Sequence, residues 1–274
     1  MGTDAVLTPT FAESVRSGEQ VLGTFIKLAS LESVELVARS GLDFAVVDYE
    51  HSQLDAGQVG ALVRHAAAIE LPALVRVPSI DGGQINRFLE AGGAGIQLST
   101  VRTGRQARAL NAAMRYPPDG SRSVSTAQPA AGYGHVPLAQ YLAHSAANPP
   151  LLVGQIETAT TEDPLADIVP DLDVVFLGTT DLSVDVGAPG DLEHPVVRER
   201  ILQVAAAAKH AGVRLGGFAP GLAALRSLRS EGATYVVVGS DMQACRRGSP
   251  PSRRPRTRPN RRPDDKARGG LQVS

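Results

Sequence analysis

Eight short apolar runs, most of them followed by a stretch of helical character, constrain this chain more than any other feature. The runs are Val21–Leu28, Phe44–Glu50, Pro72–Pro78, Gly95–Val101, Leu151–Glu157, Val174–Gly178, Arg214–Ala219 and Tyr235–Asp241. They are rich in Val, Leu and Ile and lack strict alternation, as expected of parallel strands covered on both faces. The amphipathic segments between them are Leu31–Ser40, Ala56–Glu70, Asp81–Ala91, Thr103–Met114, Pro195–Ala211 and Gly221–Glu231, with a shorter one at Pro164–Val169. Ser30 or Ser33 and Asp55 are N-cap candidates, and Gly41, Gly92, Gly212 and Gly232 are helix stops. Strands alternating with helices predict βαβ units with right-handed crossovers. Eight strands favour closure over an open sheet, and 274 residues match one barrel of ~250 residues. The expected class is α/β, a (β/α)8 TIM barrel over residues 1–245. With only 4% aromatics and no Trp, its core must be built from Ala, Val, Leu and Ile.

The net charge of −1 hides two regions. From Arg246 to Ser274 there are 10 Lys/Arg against 2 Asp/Glu, which leaves 17 basic and 26 acidic residues elsewhere. The segment SPPSRRPRTRPNRRPDD has almost nothing to bury, so 246–274 reads as a disordered, basic tail in place of an ordinary eighth helix. No stacking aromatics accompany its charge, which argues against nucleic-acid binding. The single Cys245 excludes an internal disulfide and a cysteine zinc site. No apolar run of 18 residues or signal-peptide core is present, so the expectation is no membrane span and a cytoplasmic location. The connection 116–150 lacks clear periodicity beyond a short helix near Leu138–His144. A connection this long is either a binding loop or a packed surface excursion.

In a (β/α)8 barrel the site lies at the C-terminal strand ends. The second strand ends in Asp48, Tyr49, Glu50 and His51, and the third in Arg76. The fifth ends in Gln155, Ile156, Glu157 and Thr158, and the sixth runs through Gly178, Thr179 and Thr180 to Asp181. Glu157 and Asp181 are the natural pair for a hard divalent cation, with Asp48 and Glu50 as rivals. Each of the pair also reads as a helix cap. Arg76 suits a substrate carboxylate or a developing enolate, and equally a salt bridge to Asp48 or Glu50. His51 is a candidate general base, although a lone His after a strand is more often structural. His65 and His210 lie on helices, His135 and His144 belong to the long connection, and His194 precedes Pro195 as a helix cap. No GxGxxG opens a helix after a strand and no Walker sequence occurs, so a nucleotide cofactor has no support.

The segment GTFIKLASLESVELVARSGLDFAVVDYEHSQLD, followed by LVRVP, RYPPDGSR, GQIET, DVVFLGTTDLSVDVGAPG and VVVGSDMQA, resembles the HpcH/HpaI aldolase family of class II pyruvate aldolases over roughly residues 20–245. The resemblance implies a carbon–carbon lyase that forms or cleaves a bond next to a 2-oxo acid (pyruvate or oxaloacetate) with an aldehyde or other carbonyl partner. It implies a divalent metal, Mg2+ first and Mn2+ or Co2+ next, held by Glu157 and Asp181. By the same resemblance Arg76 binds the 2-oxo oxygen, and Gln155 lies near the metal. The backbone at Thr180 and Asp181 meets the substrate carboxylate. His51 is the acid–base histidine, with Glu90 of FLEAGGAG at the position of its aspartate partner.

Several positions depart from the family pattern. Thr179 stands where Gly-Pro is usual, Ser123 follows Arg122 where Gly is usual, Ser99 replaces a Pro, and Glu90 is longer than Asp by one methylene. These keep open a specialised-metabolism synthase, of citrate-forming or decarboxylating type, on the same scaffold. A catalytically silent binding barrel is the third alternative. The resemblance also implies a homo-hexamer whose last helix crosses a subunit interface. The replaced C-terminus predicts weakened or altered assembly.

Overall fold

A computed structural model of the protein describes residues 10–247. Side chains alternate between the two faces of a strand, so period two sorts each run into an inner and an outer set. The strands are β1 Val21–Ile26, β2 Phe44–Asp48, β3 Ala73–Val77, β4 Gly95–Leu98, β5 Leu151–Ile156, β6 Val174–Leu177, β7 Arg214–Ala219 and β8 Tyr235–Ser240. They pair in chain order, all parallel, and β8 returns to β1 to close the barrel. Most run one or two residues shorter than the apolar runs suggest, because the polar strand ends turn outward into loops.

The helices follow the expected punctuation: α2 Leu31–Arg39, α3 Ala56–Ala68, α4 Gly82–Glu90, α5 Gly104–Met114, α9 Pro195–Ala211 and α10 Leu222–Ser230. Asp55 and Thr103 close capping boxes with Gln58 and Gln106, and Ser30 caps α2. Gly212 ends α9 in the left-handed region at φ 69°. His194 occupies the N-cap position of α9, but its side chain makes no capping bond.

Five helices were not expected or were expected only in part. The first, α1 Phe11–Ser17, carries a capping box from Thr10 and Glu13 and sits under the barrel floor. Val15 is buried there, and the Phe11 ring lies 5.3 Å from Phe44. Burial of the Val15 side chain contributes about 1.5–3 kcal/mol. Arg16 fixes the plug by hydrogen bonds to Asp173 and to the carbonyls of Pro149 and Pro150. A further helix, α6 Leu138–Ala147, and the short α7 Leu165–Ile168 match the sequence reading in outline. Two more, α8 Thr179–Asp185 and α11 Asp241–Arg247, follow β6 and β8 directly.

The inner set forms one apolar cluster with Phe44, Leu74, Leu151, Val153, Phe176 and Tyr235 at its centre. The outer set packs against the helices as a second, larger cluster. Gly23 makes the inner packing feasible, because a Cβ there would lie 2.5 Å from the Phe44 ring. No helix among the described residues is long and apolar enough to cross a membrane.

The connection 116–150 is packed. The Tyr116 and Tyr141 hydroxyls meet at 2.8 Å, Gln128 donates to Tyr141, and the Arg122 guanidinium lies 4.5 Å from the Tyr116 ring centre. It joins the end of α5 to the start of β5, at the rim opposite the strand C-termini of its own barrel, and most of its other side chains are exposed. At the other end of the described residues, α11 follows β8 directly. Between α2 and α10 the described residues leave a groove of about 510 Å³ lined by Leu36, Leu42, Leu222, Leu225 and Ala244. The tail expected to be disordered lies, from residue 248 on, outside the described residues.

Candidate active site

Strand register places the polar layer. Asp48 of β2 pairs in register with Arg76 of β3, and Arg76 with Gln97 of β4. Each follows apolar inner-face residues by an even step: Phe44 and Val46 precede Asp48, Leu74 precedes Arg76, and Leu151 and Val153 precede Gln155. The inside of the barrel is therefore apolar below and polar at its C-terminal mouth. A cavity of about 290 Å³ opens there, bordered by Phe25, Lys27, His51, Arg76, Gln155 and Asp181 among others.

Asp48 organises one wall. Its buried carboxylate accepts from Arg76 Nε at 2.9 Å and Nη2 at 2.5 Å, and from the Lys27 ammonium at 2.6 Å. It also accepts from the backbone N–H groups of Glu50 and His51. Burial pushes its pKa up, but the Arg76 hydrogen bonds and charge, with Lys27 and the His51 N–H, outweigh that and lower it to about 2. The salt-bridge alternative for Arg76 is thus realised, and Asp48 is engaged as a counter-ion. This does not remove Arg76 from the site. The guanidinium lies 4.4 Å from the Phe25 ring centre and borders the cavity. Nε and Nη2 face Asp48, and Nη1 has no hydrogen-bond partner among the described residues.

Glu157 organises the other wall. Thr100 donates to its Oε1 through both backbone N–H (2.8 Å) and Oγ1 (2.5 Å), and Gln155 Nε2 donates to Oε2 at 2.7 Å. Thr100 sits in the left-handed region at φ 48°. That conformation is costly for a β-branched residue, and here it lets two donors converge on one carboxylate oxygen. Because the carboxylate can only accept, the Gln155 amide nitrogen must face it. Gln155 Oε1 then takes the Gln97 amide at 2.5 Å, and Gln97 Oε1 is left buried without a partner. Gly178 supplies the room, since a Cβ there would stand 2.4 Å from Glu157 Oε2. Asp181 is exposed in the first turn of α8, borders the cavity, and has no hydrogen bond or ion pair among the described residues. Thr180 borders the cavity beside it.

The room at Gly178 makes a testable point. Gly178→Ala is expected to displace the Glu157 carboxylate and lower activity by about 100-fold, the cost of a 1 Å misplacement at a reacting site. Unchanged turnover with a normal melting temperature would show that the Glu157 position is not critical.

His51 borders the cavity with its ring largely exposed, and Nε2 lies 3.6 Å from Glu50 Oε2. Glu50 is also hydrogen-bonded by Ser99 and lies 3.6 Å from Arg76 Nε. Glu90 is not brought to His51. It is the last residue of α4, about 12 Å below the helix start at 1.5 Å rise per residue, where Asn86 Nδ2 donates to it at 3.3 Å. Asn86 also contacts Ser123 and Arg122. Within one chain the carboxylate that meets the His51 ring is Glu50, at 3.6 Å.

Thr100, Gln97 and Lys27 were missed by the sequence reading. Lys27 and Thr100 stand just beyond the C-terminal ends of β1 and β4, where the strand-end rule places site residues. Among the described residues no group of three or more His, Cys, Asp or Glu side chains is gathered for a metal. Glu157 and Asp181 nevertheless fit a hard cation that keeps waters and substrate oxygens as its remaining ligands. A carboxylate offers about four lone-pair sites, and Glu157 Oε2 takes only the Gln155 donor.

A parallel barrel with a charged and amide-lined mouth at its strand C-termini defines an enzyme scaffold rather than a packing module. The family profile "HpcH/HpaI aldolase/citrate lyase" matches residues 21–248. A 4-hydroxy-2-oxovalerate aldolase of Rhodococcus jostii is 34% identical, covering 85% of this chain and 90% of its own. A 5-keto-4-deoxy-D-glucarate aldolase of Klebsiella pneumoniae is also 34% identical, covering 89% and 94%. A crystal structure of an HpcH/HpaI aldolase/citrate lyase family protein from Burkholderia cenocepacia is similar at TM-score 0.80 and 31% identity, over 88% of this chain and 96% of that one. The chain belongs to the HpcH/HpaI aldolase/citrate lyase family. It is an aldolase-type carbon–carbon lyase.

Proposed function

We propose that this lyase cleaves or forms the bond between a pyruvate-type 2-oxo acid and an aldehyde through an enolate. The observation that carries this reading is the mouth itself, where a fixed guanidinium faces a cavity bordered by Gln155, Asp181 and His51. At about 290 Å³ the cavity lies at the small end of the ~300–1,000 Å³ typical of ligand sites. That suits a short polar substrate.

Arg76 would hold the 2-oxo oxygen through Nη1 while Asp48 keeps the guanidinium from turning. In the cleavage direction His51 takes the proton of the aldol hydroxyl as the carbon–carbon bond breaks. The bonding pair passes to the 2-oxo acid half, and the enolate oxygen stays against Arg76. Reprotonation at carbon then returns the free 2-oxo acid. A divalent cation held by Glu157 and Asp181 would supply Lewis acidity at the 2-oxo oxygen, and the all-oxygen donor set favours Mg2+, with Mn2+ or Co2+ as alternatives. The backbone at Thr180 and Asp181 lies where the substrate carboxylate would sit. Glu90 can serve as the partner of His51 only from a second copy of the chain, which makes an oligomer part of the same reading.

Methyl-proton exchange of pyruvate in D2O, followed by NMR with Mg2+ present, tests this directly. Exchange is expected in the wild type and should be lost on chelation and in Glu157→Ala. Full exchange in Glu157→Ala, or none in the wild type, overturns the reading.

A further inference from the structure

Resting on the reading of Glu157 and Asp181 as a cation site, we infer that Thr100 is a positioning residue that limits Glu157 to one cation-binding oxygen and thereby selects Mg2+ over Ca2+. The count of lone pairs carries this. A carboxylate has about four acceptor sites, two on each oxygen. On Glu157 Oε1 both are taken by Thr100, through its N–H at 2.8 Å and its Oγ1 at 2.5 Å. On Oε2 one is taken, by Gln155 Nε2 at 2.7 Å. A single site remains, and it belongs to Oε2. That oxygen is the one on the β6 side, since a Cβ at Gly178 would stand 2.4 Å from it. Gly178 borders the cavity and leads directly into the first turn of α8, where Asp181 lies.

The two mouth carboxylates are thus provided for differently. Asp48 receives two cations and two backbone N–H groups. Glu157 is equally buried in kind, yet no ion pair reaches it among the described residues. Its three protein donors are neutral, so its charge is left for a cation and its geometry is set by Thr100.

The chain holds Thr100 in its left-handed conformation, φ 48°, from both neighbours. The Ser99 N–H donates to the Val77 carbonyl at 3.1 Å, and the Val101 N–H to the Gln155 carbonyl at 2.8 Å. A glycine would take this conformation without strain but would bring one donor to Oε1. Threonine brings two, and closes that oxygen. Ca2+ gathers about 6–8 oxygens and commonly takes both from one carboxylate, whereas Mg2+ requires a near-ideal octahedron and keeps several waters beside one or two carboxylates. A glutamate with Oε1 closed suits Mg2+ and withholds an oxygen from Ca2+. Asp181 is exposed and has no such constraint, so the discrimination rests on Glu157.

The test reads binding rather than turnover. Mn2+ is titrated into the full chain and followed by the electron paramagnetic resonance signal of the free ion, then displaced with Mg2+ or with Ca2+. The wild type should release Mn2+ to Mg2+ at lower concentration than to Ca2+. Thr100→Val removes the hydroxyl at nearly constant shape and keeps the backbone N–H. In it the Mg2+ preference, as a ratio of the two displacement constants, should fall by about tenfold or more, as for other groups that orient a metal ligand. Thr100→Ser should retain most of the preference. Thr100→Gly removes the hydroxyl without backbone strain and carries the test if Thr100→Val does not fold. A merely structural role would weaken both ions alike and leave the ratio unchanged. That result, or a wild type with no Mg2+ preference, overturns the inference. Mn2+ binding itself scores the cation-site reading. A wild type whose Mn2+ binding is lost in Glu157→Ala, but which does not prefer Mg2+, refutes only the Thr100 assignment. A wild type that binds no Mn2+, or Glu157→Ala that binds it unchanged, removes both.

Discussion

Arg76→Ala is expected to lower kcat/KM for aldol cleavage by about 100- to 1,000-fold, the usual cost of losing a donor aimed at a developing oxyanion. The reason is positional. Asp48 binds Nε and Nη2, and Phe25 lies against the guanidinium face, so Nη1 meets the oxygen with little reorganisation. Arg76→Lys should recover only part of the loss, since an ammonium cannot hold Asp48 bidentately and still face the cavity. Steady-state kinetics on both variants check this. A loss under tenfold in Arg76→Ala would mean that the guanidinium serves the barrel wall and not the reaction.

Asp48→Ala is expected to cost about 3–5 kcal/mol of folding stability, the range for breaking a buried ion pair and stranding its partner. Two cations, Arg76 and Lys27, lose their shared carboxylate, and the Glu50 and His51 N–H groups lose an acceptor. The same carboxylate makes a pH prediction. Its folded pKa, about 2, lies below the ordinary 3.8. Its contribution, about 2.5 kcal/mol at 1.36 kcal/mol per pKa unit, is therefore present above pH 3.8 and lost as pH falls toward 2. In urea melts the gap between wild type and Asp48→Ala should narrow by about 1 kcal/mol from neutral pH to pH 3. A difference that stays constant across that range would rule out the ion pair as its origin.

The polar mouth was legible to different depths. Asp48, Arg76, Gln155 and Glu157 are the residues that follow apolar inner-face positions at even spacing, so period two and the strand-end rule find them without coordinates. Lys27 follows the same pattern at the end of β1, but nothing local marks an exposed-looking lysine as a partner of Asp48, 21 positions later. Thr100 was harder. Its part depends on a left-handed backbone that brings N–H and Oγ1 together on Glu157, and no composition signal announces that. Glu90 shows the opposite case. Its place in a motif pointed to His51, yet a residue at the C-terminal end of α4 lies toward the opposite rim from the end of β2.

The sequence by itself determined the alternation of strands and helices, the caps that bound them and the inner-face polar positions. These depend on interactions within a few residues and on the fixed periods of helix and strand. Only the tertiary structure decided which of those polar groups meet. Closing β8 onto β1, and pairing β1 with β2 and β2 with β3 in one register, puts Lys27 and Arg76 on the same carboxylate. Charges in a cavity are partnered by proximity through space, and that proximity is set by the register of the whole barrel.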